Sequence, residues 1–488
     1  MSMLNELSKL KQGEPLHQKM RIAGKLVGNE RLIEVFNPYS GALVGTIPKA
    51  TVGDIQDAFR SARQFKSQLT RYDRSQIMLK ASALLRANAD AISDLITAES
   101  GLCKKDTLYE VGRACDVFVF AANQALIDDG QVFSCDLTPH GKQRKVYTMK
   151  EPLLGAIAAI TPFNHPLNQV AHKVAPSIAT NNRMVLKPTE KTPFSALLLA
   201  DILYEAGLPP EMFSVVTGDP KEIADEMLTN ADVDLVTFTG GVPIGKYIAG
   251  KAVYKRQILE LGGNDPIIVM EDADIEEAAT LAVSGSYKNS GQRCTAIKRM
   301  IVHQAVADEF VDLLVSKTRA LKFGDPMNLQ NDMGSVIDAR AAMEFQAKVN
   351  DAQSHGAKLL FGNTRNGALY APTVLDHVPF DCQLVAEETF GPVSPVIRCT
   401  DINDAIRISN STPYGLSSSV CTNRMDYITR FIRELEVGSV NVREVPGYRL
   451  ELTPFGGIKD SGLGYKEGVQ EAMKSFSNTK TYSLPWIG

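Results

Sequence analysis

The chain has 488 residues, about three times the length of a usual single domain, so two or more domains are expected. Its 44% hydrophobic and 22% charged residues exclude a disordered chain. The 52 basic and 56 acidic residues give a formal net charge of −4, which argues against nucleic acid as the main partner.

The sequence offers no sign of a membrane span, an export signal or a metal site. No apolar run is long enough to cross a membrane, and the first eleven residues mix charges with apolar side chains. The seven cysteines are odd in number and include no Cys-X-X-Cys pair, which argues against a disulfide framework or structural zinc. We therefore expect a cytoplasmic protein with no metal.

The N-terminal part is predicted to be mainly helical. The first thirty residues are polar and expected to be peripheral, and the segments LIEVFNP and ALVGTIP around a YSG turn predict a strand pair between Arg31 and Ile47. Thr51 with Asp54 three residues later predicts a helix start, and helical periodicity continues to about Asp129.

From Gly155 onward, short apolar strands alternate with helices. The strands GAIAAITPF, NRMVLKP, FSVVTG and DLVTFTG are continuously apolar, which predicts a doubly wound parallel sheet covered on both faces. A second alternating series after RQILELGG predicts another α/β domain. The C-terminal segment KSFSNTKTYSLPWIG predicts a strand, either a simple edge strand or one that pairs with another element or subunit.

Cys294, in SGQRCTAIKR, is the most reactive-looking cysteine. It follows a predicted helix and precedes a predicted strand, and Gly291 gives access to it. The nearby cations Arg293, Lys298 and Arg299 are expected to favour the thiolate, which is the nucleophilic form. The alternative is an inert buried cysteine.

Two further residues predict acid–base and oxyanion chemistry. Glu260, in QILELGGNDP, ends an apolar strand, and burial would raise its pKa and suit it to act as a base on water. Asn164, in AITPFNHP, follows the carboxyl end of a strand, where its amide could donate to an oxyanion. The alternatives are a salt-bridged glutamate and a turn-capping asparagine.

A dinucleotide site is indicated by two segments. In FTGGVPIG, Gly240, Gly241 and Gly245 would let a phosphate approach a helix N-terminus. In VLKPTE, Lys187 and Glu190 offer a donor and an acceptor for ribose hydroxyls.

Seven ordered motifs together resemble the NAD(P)-dependent aldehyde dehydrogenase superfamily: TPFNHPLN, VLKPTEKTP, FTGGVPIGK, LELGGNDP, SGQRCTAIKR, AEETFGPV and PFGGIKDSGLG. The resemblance implies an α/β fold of two doubly wound domains with a small β oligomerisation element. The implied dinucleotide-binding domain is 1–131 and 152–261, the catalytic domain 262–465, and the oligomerisation element 132–151 and 466–488, in a homodimer or homotetramer.

The resemblance also implies the chemistry. Cys294 resembles the family's nucleophile and Glu260 its base, and Asn164 with the backbone N–H of Cys294 resembles the oxyanion hole. A thiohemiacetal would lose hydride to form a thioester, which water then hydrolyses to an acid. NAD is the implied cofactor, with NADP as an alternative, although Gly241 replaces the family's usual Ser. The implied cofactor contacts are Thr161, Phe163, Lys187, Glu190, Phe238, Gly240, Gly241, Gly245, Glu388 and Phe390.

The predicted substrate pocket is unusually cationic. Several arginines that converge on one tunnel predict an anionic substrate, because guanidinium groups suit phosphate, phosphonate or carboxylate oxygens. The alternatives are an Arg293 bond to a backbone carbonyl, pairing of Arg113 with Glu110 or Asp116, and solvated loop arginines. The predicted substrate contacts are Arg113, His165, Arg293, Thr295, Arg443 and Arg449.

Within the family, GQRCTA-KR resembles the branch that oxidises glyceraldehyde-3-phosphate without phosphorylation or oxidises lactaldehyde. The FNHPLNQVAHKVAP segment is more similar to the enzymes that oxidise phosphonoacetaldehyde, which is the leading prediction. Glyceraldehyde-3-phosphate, lactaldehyde and succinate semialdehyde are the alternatives. Retention of Cys294 and Glu260 argues against a non-catalytic scaffold, and Glu260 favours water over CoA as acyl acceptor. Glu190 predicts a preference for NAD over NADP.

Overall fold

The computed structural model describes residues 3–128 and 130–486, and within these ranges it contains two seven-stranded sheets. Along a strand of the first sheet, alternate side chains pack into two different apolar clusters, one on each face of the sheet. Ile157 and Ala159 join one cluster and Ala156 and Ala158 another, so helices cover both faces. The α/β fold predicted from the sequence is confirmed.

The first sheet contains the predicted parallel strands. Numbered in chain order and given in sheet order, its strands are β12 (Arg256–Glu260), β11 (Val233–Thr239), β8 (Ala156–Thr161), β9 (Met184–Pro188), β10 (Phe213–Val215), β2 (Met20–Ile22) and β3 (Lys25–Val27). Strands β12 to β10 are parallel, and β2 and β3 extend the sheet in antiparallel fashion. The expectation that the first thirty residues are peripheral is therefore wrong for β2, whose side chains are buried.

The helices associated with this sheet begin and end at recognisable residues. Thr51 and Asp54 form the predicted capping box, and Gly101, at φ 74°, ends another helix in the left-handed region. Helical structure runs to Ala125, and Asp129 lies outside the described residues. The helices are α2 (Val52–Gln64), α3 (Arg71–Ala87), α4 (Ala89–Ser100), α5 (Lys104–Ala125), α6 (Asn168–Ala179), α7 (Phe194–Ala206), α8 (Pro220–Thr229) and α9 (Val242–Lys251).

The second sheet is parallel except for its antiparallel edge strand β15. Its strands, in sheet order, are β15 (Lys358–Phe361), β18 (Thr373–Asp376), β19 (Val393–Cys399), β14 (Arg299–His303), β13 (Pro266–Val269), β21 (Ser417–Cys421) and β22 (Ser439–Val442). The accompanying helices are α10 (Ile275–Tyr287), α11 (Ala307–Arg319), α12 (Ala339–Ser354), α13 (Gln383–Ala386), α14 (Ile402–Asn410) and α15 (Met425–Glu434).

Smaller sheets and short helices complete the described chain. They are the sheet β1 (Leu16–His17), β5 (Leu43–Pro48) and β4 (Leu32–Phe36), the pairs β16 (Arg365–Asn366) with β17 (Leu369–Tyr370) and β20 (Tyr414–Gly415) with β23 (Ile458–Lys459), the sheet β24 (Ser477–Pro485), β7 (Arg144–Pro152) and β6 (Val132–Ser134), and the helices α1 (Leu7–Lys11) and α16 (Val469–Ser475). The strand pair β4–β5 and the terminal strand β24 agree with the sequence expectations.

The predicted domain boundaries remain a proposal. It is supported by the way the strands divide, because β12 closes the first sheet at Glu260 and β13 begins the strands of the second. Met1, Ser2, Ile487 and Gly488, which the proposed boundaries include, lie outside the described residues. Among the helices of residues 3–128 and 130–486, none has the length and apolarity needed to cross a bilayer.

Candidate active site

A cavity of about 210 Å³ lies at the carboxyl ends of β8, β11 and β12, where parallel sheets place their ligands. It brings together the predicted nucleophile, base and oxyanion donor. The lining residues are Pro162, Phe163, Asn164, Gln169, Thr239, Gly240, Gly241, Glu260, Leu261, Gly262, Cys294, Glu388 and Phe390.

The loop before Cys294 has an unusual backbone. Asn289, Ser290 and Gly291 have φ values of 60°, 54° and 71°, in the left-handed region that non-glycine residues rarely adopt. Asn289 is held from two sides: its backbone N–H donates to Asp106 Oδ2 at 2.7 Å, and its side-chain amide donates to the carbonyl of Asn164 at 2.8 Å. The nucleophile loop is therefore fixed against the segment that carries Asn164.

The thiol of Cys294 is protonated at rest. Burial raises its pKa to about 11, and the nearby cation with the largest opposing effect is Lys298. Lys298 favours the thiolate, as predicted for the neighbouring cations, but burial outweighs this effect and the net pKa is raised. Lys298 Nζ donates to the carbonyl oxygen of Cys294 at 2.6 Å and does not contact the sulfur.

Asn164 is positioned to donate to an oxyanion. The residue is buried and lines the cavity beside Cys294. Across the described ranges, its side-chain amide has no hydrogen-bond partner, since only its backbone carbonyl is engaged by Asn289. The amide is consequently available to a substrate oxygen.

Glu260 has the environment expected of a buried base. It ends β12, is 3% exposed, and in the described part of the chain its Oε1 atom has no hydrogen-bond partner. A Cβ atom at Gly456 would lie 2.5 Å from this oxygen, so only glycine fits there. Burial, followed by the nearby carboxylate of Glu467, raises the pKa of Glu260 well above its usual range.

A buried ion pair behind Glu260 was not identified from the sequence. Lys173, in α6, donates to Glu467 Oε1 at 2.7 Å and to Thr237 Oγ1 at 3.0 Å. The two charged members of the pair shift the pKa of Glu260 in opposite directions: Glu467 raises it and Lys173 lowers it. The signal that could have revealed the pair is a lysine between the apolar positions of the helix LNQVAHKVAPSIAT, since a lysine is rarely buried without a partner.

One end of the cavity fits a nicotinamide ribose. The rings of Phe163 and Phe390 face each other edge to face, with centroids 5.9 Å apart. Glu388 also lines this part of the cavity. Its Oε1 atom accepts a hydrogen bond from Gly263 N at 3.1 Å and lies 3.1 Å from Lys298 Nζ. A carboxylate beside two aromatic side chains suits the hydroxyls and the apolar faces of a nucleoside.

The phosphate end of the site lies at the start of α9. Gly241 is the N-cap of this helix and provides no side-chain cap, and Pro243 in the first turn has no N–H, so the backbone donors without an intrahelical partner are those of Val242 and Ile244. Beside it, Thr239 Oγ1 is buried and, among residues the structure describes, has no partner. These donors fit a pyrophosphate.

The other residues predicted for this segment have packing roles. A Cβ atom at Gly245 would lie 2.4 Å from Leu261. Phe238 is buried in β11, and a Cβ atom at Gly240 would meet its ring.

Lys187 and Glu190 follow the adjacent strand. Lys187 is buried one residue before the end of β9, opposite Ile160 of β8, and its Nζ donates to the carbonyl of Pro188 at 3.0 Å; Thr161, the last residue of β8, lies opposite Pro188. Glu190 Oε2 lies 3.7 Å away and is half-buried. Burial lowers the pKa of Lys187. This pair is therefore placed at the same sheet edge as the cavity.

Two arginines near the nucleophile carry buried donors that lack partners. Arg293 Nη2 donates to the carbonyl of Gly285 at 2.9 Å, as the alternative from the sequence anticipated. Arg449 stacks over Phe455 at 3.7 Å. Within the described residues, Arg293 Nε and Arg449 Nη1 are buried and unbonded. Each guanidinium is near enough to Cys294 for their charges to interact.

Glu451 is a buried acidic residue that contacts Arg113, His172 and Arg449, and no pattern in the sequence singled it out. Its carboxylate bonds Arg113 Nε and His172 Nε2 and lies 3.9 Å from Arg449. Although burial opposes ionisation, these partners hold the pKa of Glu451 below its usual range. Arg113 is thus paired with Glu451, and with neither of the partners considered from the sequence.

The remaining predicted substrate contacts differ in position. His165 lies 3.7 Å from Glu110 Oε2, and burial lowers its pKa, so its imidazole is neutral. Thr295 packs against the 443–455 loop, where a Cβ atom at Gly447 would lie 2.4 Å from its Oγ1. Arg443 is exposed and donates to Glu277 at 2.8 Å and to Asn423 at 3.0 Å. This placement contradicts a substrate contact by Arg443.

The comparisons with known proteins agree with this geometry. A family model described as the aldehyde dehydrogenase family matches residues 26–482. The chain is similar to the 3-sulfolactaldehyde dehydrogenase of Priestia aryabhattai, at 36% identity over 93% of this chain and 94% of that protein. It is similar to the sulfoacetaldehyde dehydrogenase of Neptuniibacter caesariensis, at 35% identity over 91% of this chain and 98% of that protein. The NADP-dependent glyceraldehyde-3-phosphate dehydrogenase of Bacillus halodurans, solved with NADP, has a TM-score of 0.93 and 34% identity, covering 97% of this chain and 100% of that chain.

Proposed function

The chain belongs to the aldehyde dehydrogenase family, and from this premise we propose that it oxidises a short aldehyde with a tetrahedral anionic group, phosphonoacetaldehyde being the leading candidate. As a member of this family it is an oxidoreductase that uses NAD or NADP. The proposal concerns the aldehyde, the preference for NAD, and the roles of the individual residues.

The observation that carries the proposal is the pair of buried, unbonded guanidinium donors, Arg293 Nε and Arg449 Nη1, within the described structure. A buried donor without a partner costs about 1–3 kcal/mol, more when charged, so such donors mark a place for a ligand oxygen. Both guanidinium groups interact electrostatically with Cys294. Guanidinium donors of this kind suit the oxygens of an anionic group.

The proposed mechanism uses four groups of this chain. Cys294, once deprotonated, attacks the aldehyde carbon, and the amide of Asn164 stabilises the oxyanion. The oxidised nicotinamide of the bound cofactor would accept the hydride, and Phe163, Glu388 and Phe390 are the residues that would hold it. The acyl group then remains on the Cys294 sulfur as a thioester. Glu260 takes a proton from the water that hydrolyses this thioester, and the acid leaves.

A sulfonated aldehyde is the second candidate. The similar proteins from Priestia aryabhattai and Neptuniibacter caesariensis are named for 3-sulfolactaldehyde and sulfoacetaldehyde. In this chain, Glu451 neutralises one positive charge of the cluster by pairing with Arg113. A smaller net positive charge favours a monoanionic sulfonate over a dianionic phosphonate. Phosphonate and sulfonate share the tetrahedral geometry that the arginines recognise.

A substrate panel tests the proposal. Phosphonoacetaldehyde, sulfoacetaldehyde, 3-sulfolactaldehyde, glyceraldehyde-3-phosphate, succinate semialdehyde, lactaldehyde and propanal would be compared by kcat/KM with NAD and with NADP. The proposal expects a phosphonate or sulfonate substrate to have the highest value. A higher value for lactaldehyde or propanal would refute an anionic substrate.

Arg293→Ala should weaken oxidation of the preferred anionic aldehyde about thirtyfold or more while changing propanal oxidation little. Losing one partner of a buried charge-assisted contact costs about 2–5 kcal/mol, and each 1.4 kcal/mol is about tenfold. Arg293 is preferred to Arg113 for this test because removing Arg113 would also remove one of the partners of the buried Glu451 carboxylate. The measurement is kcat/KM for both aldehydes.

The matched control is Arg443→Ala, which removes an exposed arginine paired with Glu277 and should alter neither rate. Equal losses for charged and uncharged aldehydes in Arg293→Ala would mean that the arginine supports the fold rather than the substrate.

The cofactor preference can be tested at Glu190. We expect wild-type protein to favour NAD, because the Glu190 carboxylate repels a 2′-phosphate. Glu190→Gln should raise kcat/KM with NADP relative to NAD by about fivefold, since like charges about 4 Å apart cost about 1 kcal/mol in water. Equal or better use of NADP by the wild-type protein would contradict the predicted preference.

The predicted homo-oligomer and cytoplasmic location also remain proposals. The sheet β24–β7–β6 leaves the outer edges of β24 and β6 unpaired among the described residues, and an open edge can accept a strand from another copy. Light scattering would distinguish a monomer from the proposed dimer or tetramer.

A further inference from the structure

Lys298 occupies a buried position between the nucleophile and the proposed ribose-binding carboxylate. It lies immediately before β14, and its side chain is 2% exposed. Its Nζ donates to the carbonyl of Cys294 at 2.6 Å and lies 3.1 Å from Glu388 Oε1. Its backbone N–H donates to the carbonyl of Asp265 at 3.0 Å. The sequence had suggested it only as one cation among several.

The carboxylate of Glu388, which lies next to the Lys298 ammonium group, is closely surrounded by backbone. Glu388 Oε1 also accepts a hydrogen bond from Gly263 N at 3.1 Å, and a Cβ atom at Gly262 would lie 2.2 Å from Glu388 Oε2. The ammonium group lies 5.6 Å from the centre of the Phe390 ring, within reach of a cation–π interaction. Because this buried ammonium group has several partners, it holds the carbonyl of Cys294 and the carboxylate of Glu388 at a fixed separation.

We propose that Lys298 is a positioning residue that joins the backbone of Cys294 to the carboxylate of Glu388 and thereby stabilises the thiolate. It neutralises Glu388, a negative charge that would otherwise disfavour a second negative charge on the neighbouring sulfur. The inference rests on the proposed roles of Cys294 as nucleophile and Glu388 as a cofactor contact. It turns the general expectation that nearby cations favour the thiolate into a specific role for Lys298, defined by its contacts with Cys294 and Glu388.

The other charges around the thiol do not replace Lys298. Arg293 donates to the carbonyl of Gly285, and Arg449 lies over Phe455 and 3.9 Å from Glu451. Glu260 and Asp265 are acidic groups that disfavour the thiolate. Among the described residues that influence Cys294, only Lys298 bonds its backbone. Removing the charge of Lys298 should therefore disfavour the thiolate of Cys294, and the two arginines should not offset this loss.

The test is alkylation of the cofactor-free protein by iodoacetamide at pH 8, followed by peptide mass mapping of the modified cysteine. Lys298→Met keeps the length of the side chain and removes its charge. We expect alkylation of Cys294 to slow at least about fivefold, because a higher pKa lowers the thiolate fraction. Lys298→Arg, which keeps the charge, should restore part of the rate. Structural damage alone would instead expose the thiol and speed its alkylation.

A double-mutant cycle tests the bridge itself. In a Glu388→Gln background, Lys298→Met should slow alkylation at least about threefold less than it does alone, because the charge to be neutralised is gone. The role proposed for Lys298 would be overturned if Lys298→Met slowed alkylation equally in both backgrounds. It would also be overturned if Lys298→Met left the alkylation rate of Cys294 unchanged. Neither outcome would affect the proposed function. Wild-type protein that stays active after complete alkylation of Cys294 would overturn the nucleophile assignment and, with it, this role of Lys298.

Discussion

Replacing Cys294 with Ser should lower aldehyde oxidation by about 1000-fold or more while leaving cofactor binding intact. A serine hydroxyl is a much poorer nucleophile than a thiolate, and no other cysteine lines the cavity in the described structure. The loss should appear in kcat, because the nucleophile acts in the chemical step. The measurements are NADH formation by absorbance and cofactor affinity by fluorescence titration.

The matched control is Cys135→Ser, which changes a cysteine away from the cavity and should retain full activity. A Cys294→Ser variant that keeps a tenth of wild-type activity would mean that the nucleophile is misassigned. The pH dependence gives a second check. Since burial raises the pKa of Cys294 to about 11, alkylation of the cofactor-free protein should speed up about tenfold per pH unit below that value.

Local patterns were sufficient to predict the architecture that positions these residues. Apolar strands ending at Thr161, Thr239 and Glu260 predicted a parallel sheet, and the carboxyl ends of those strands form the edge where the cavity lies. The strand β2 was missed because Met20–Ile22 is too short to show a period. Its position depends on a distant partner, β10, which local sequence does not specify.

The charge balance of the site was less predictable, because it depends on contacts across the chain. Glu451 is 338 residues from Arg113 and 279 from His172, and no spacing rule links them. Arg443 and Arg449 lie in one loop, and both were predicted as substrate contacts without deciding which one reaches the substrate. The left-handed backbone of Arg443, with φ 54°, instead accompanies an exposed pairing with Glu277 in α10. Burial, which reverses the expected direction of the Cys294 pKa, likewise cannot be read from neighbouring residues.

Glu260→Gln should slow hydrolysis of the thioester by about 100-fold or more while affecting hydride transfer much less. General-base catalysis typically contributes about 10²–10⁴-fold, and an amide cannot accept the proton of the attacking water at neutral pH. Rapid mixing should therefore show a burst of about one NADH per active site, followed by a slow steady state. Full turnover without a burst would remove Glu260 from the mechanism.

The pH profile identifies Glu260 more specifically than the rate does. Because its pKa is raised, the base form of Glu260 becomes more populated as pH increases, so wild-type deacylation should accelerate across that pKa and the Gln variant should lose this rise. Glu467→Gln is the matched variant. It removes a carboxylate that raises the pKa of Glu260 and releases Lys173, which lowers it, so both changes should move the profile to lower pH. A profile that does not move in Glu467→Gln would mean that the titrating group is not Glu260.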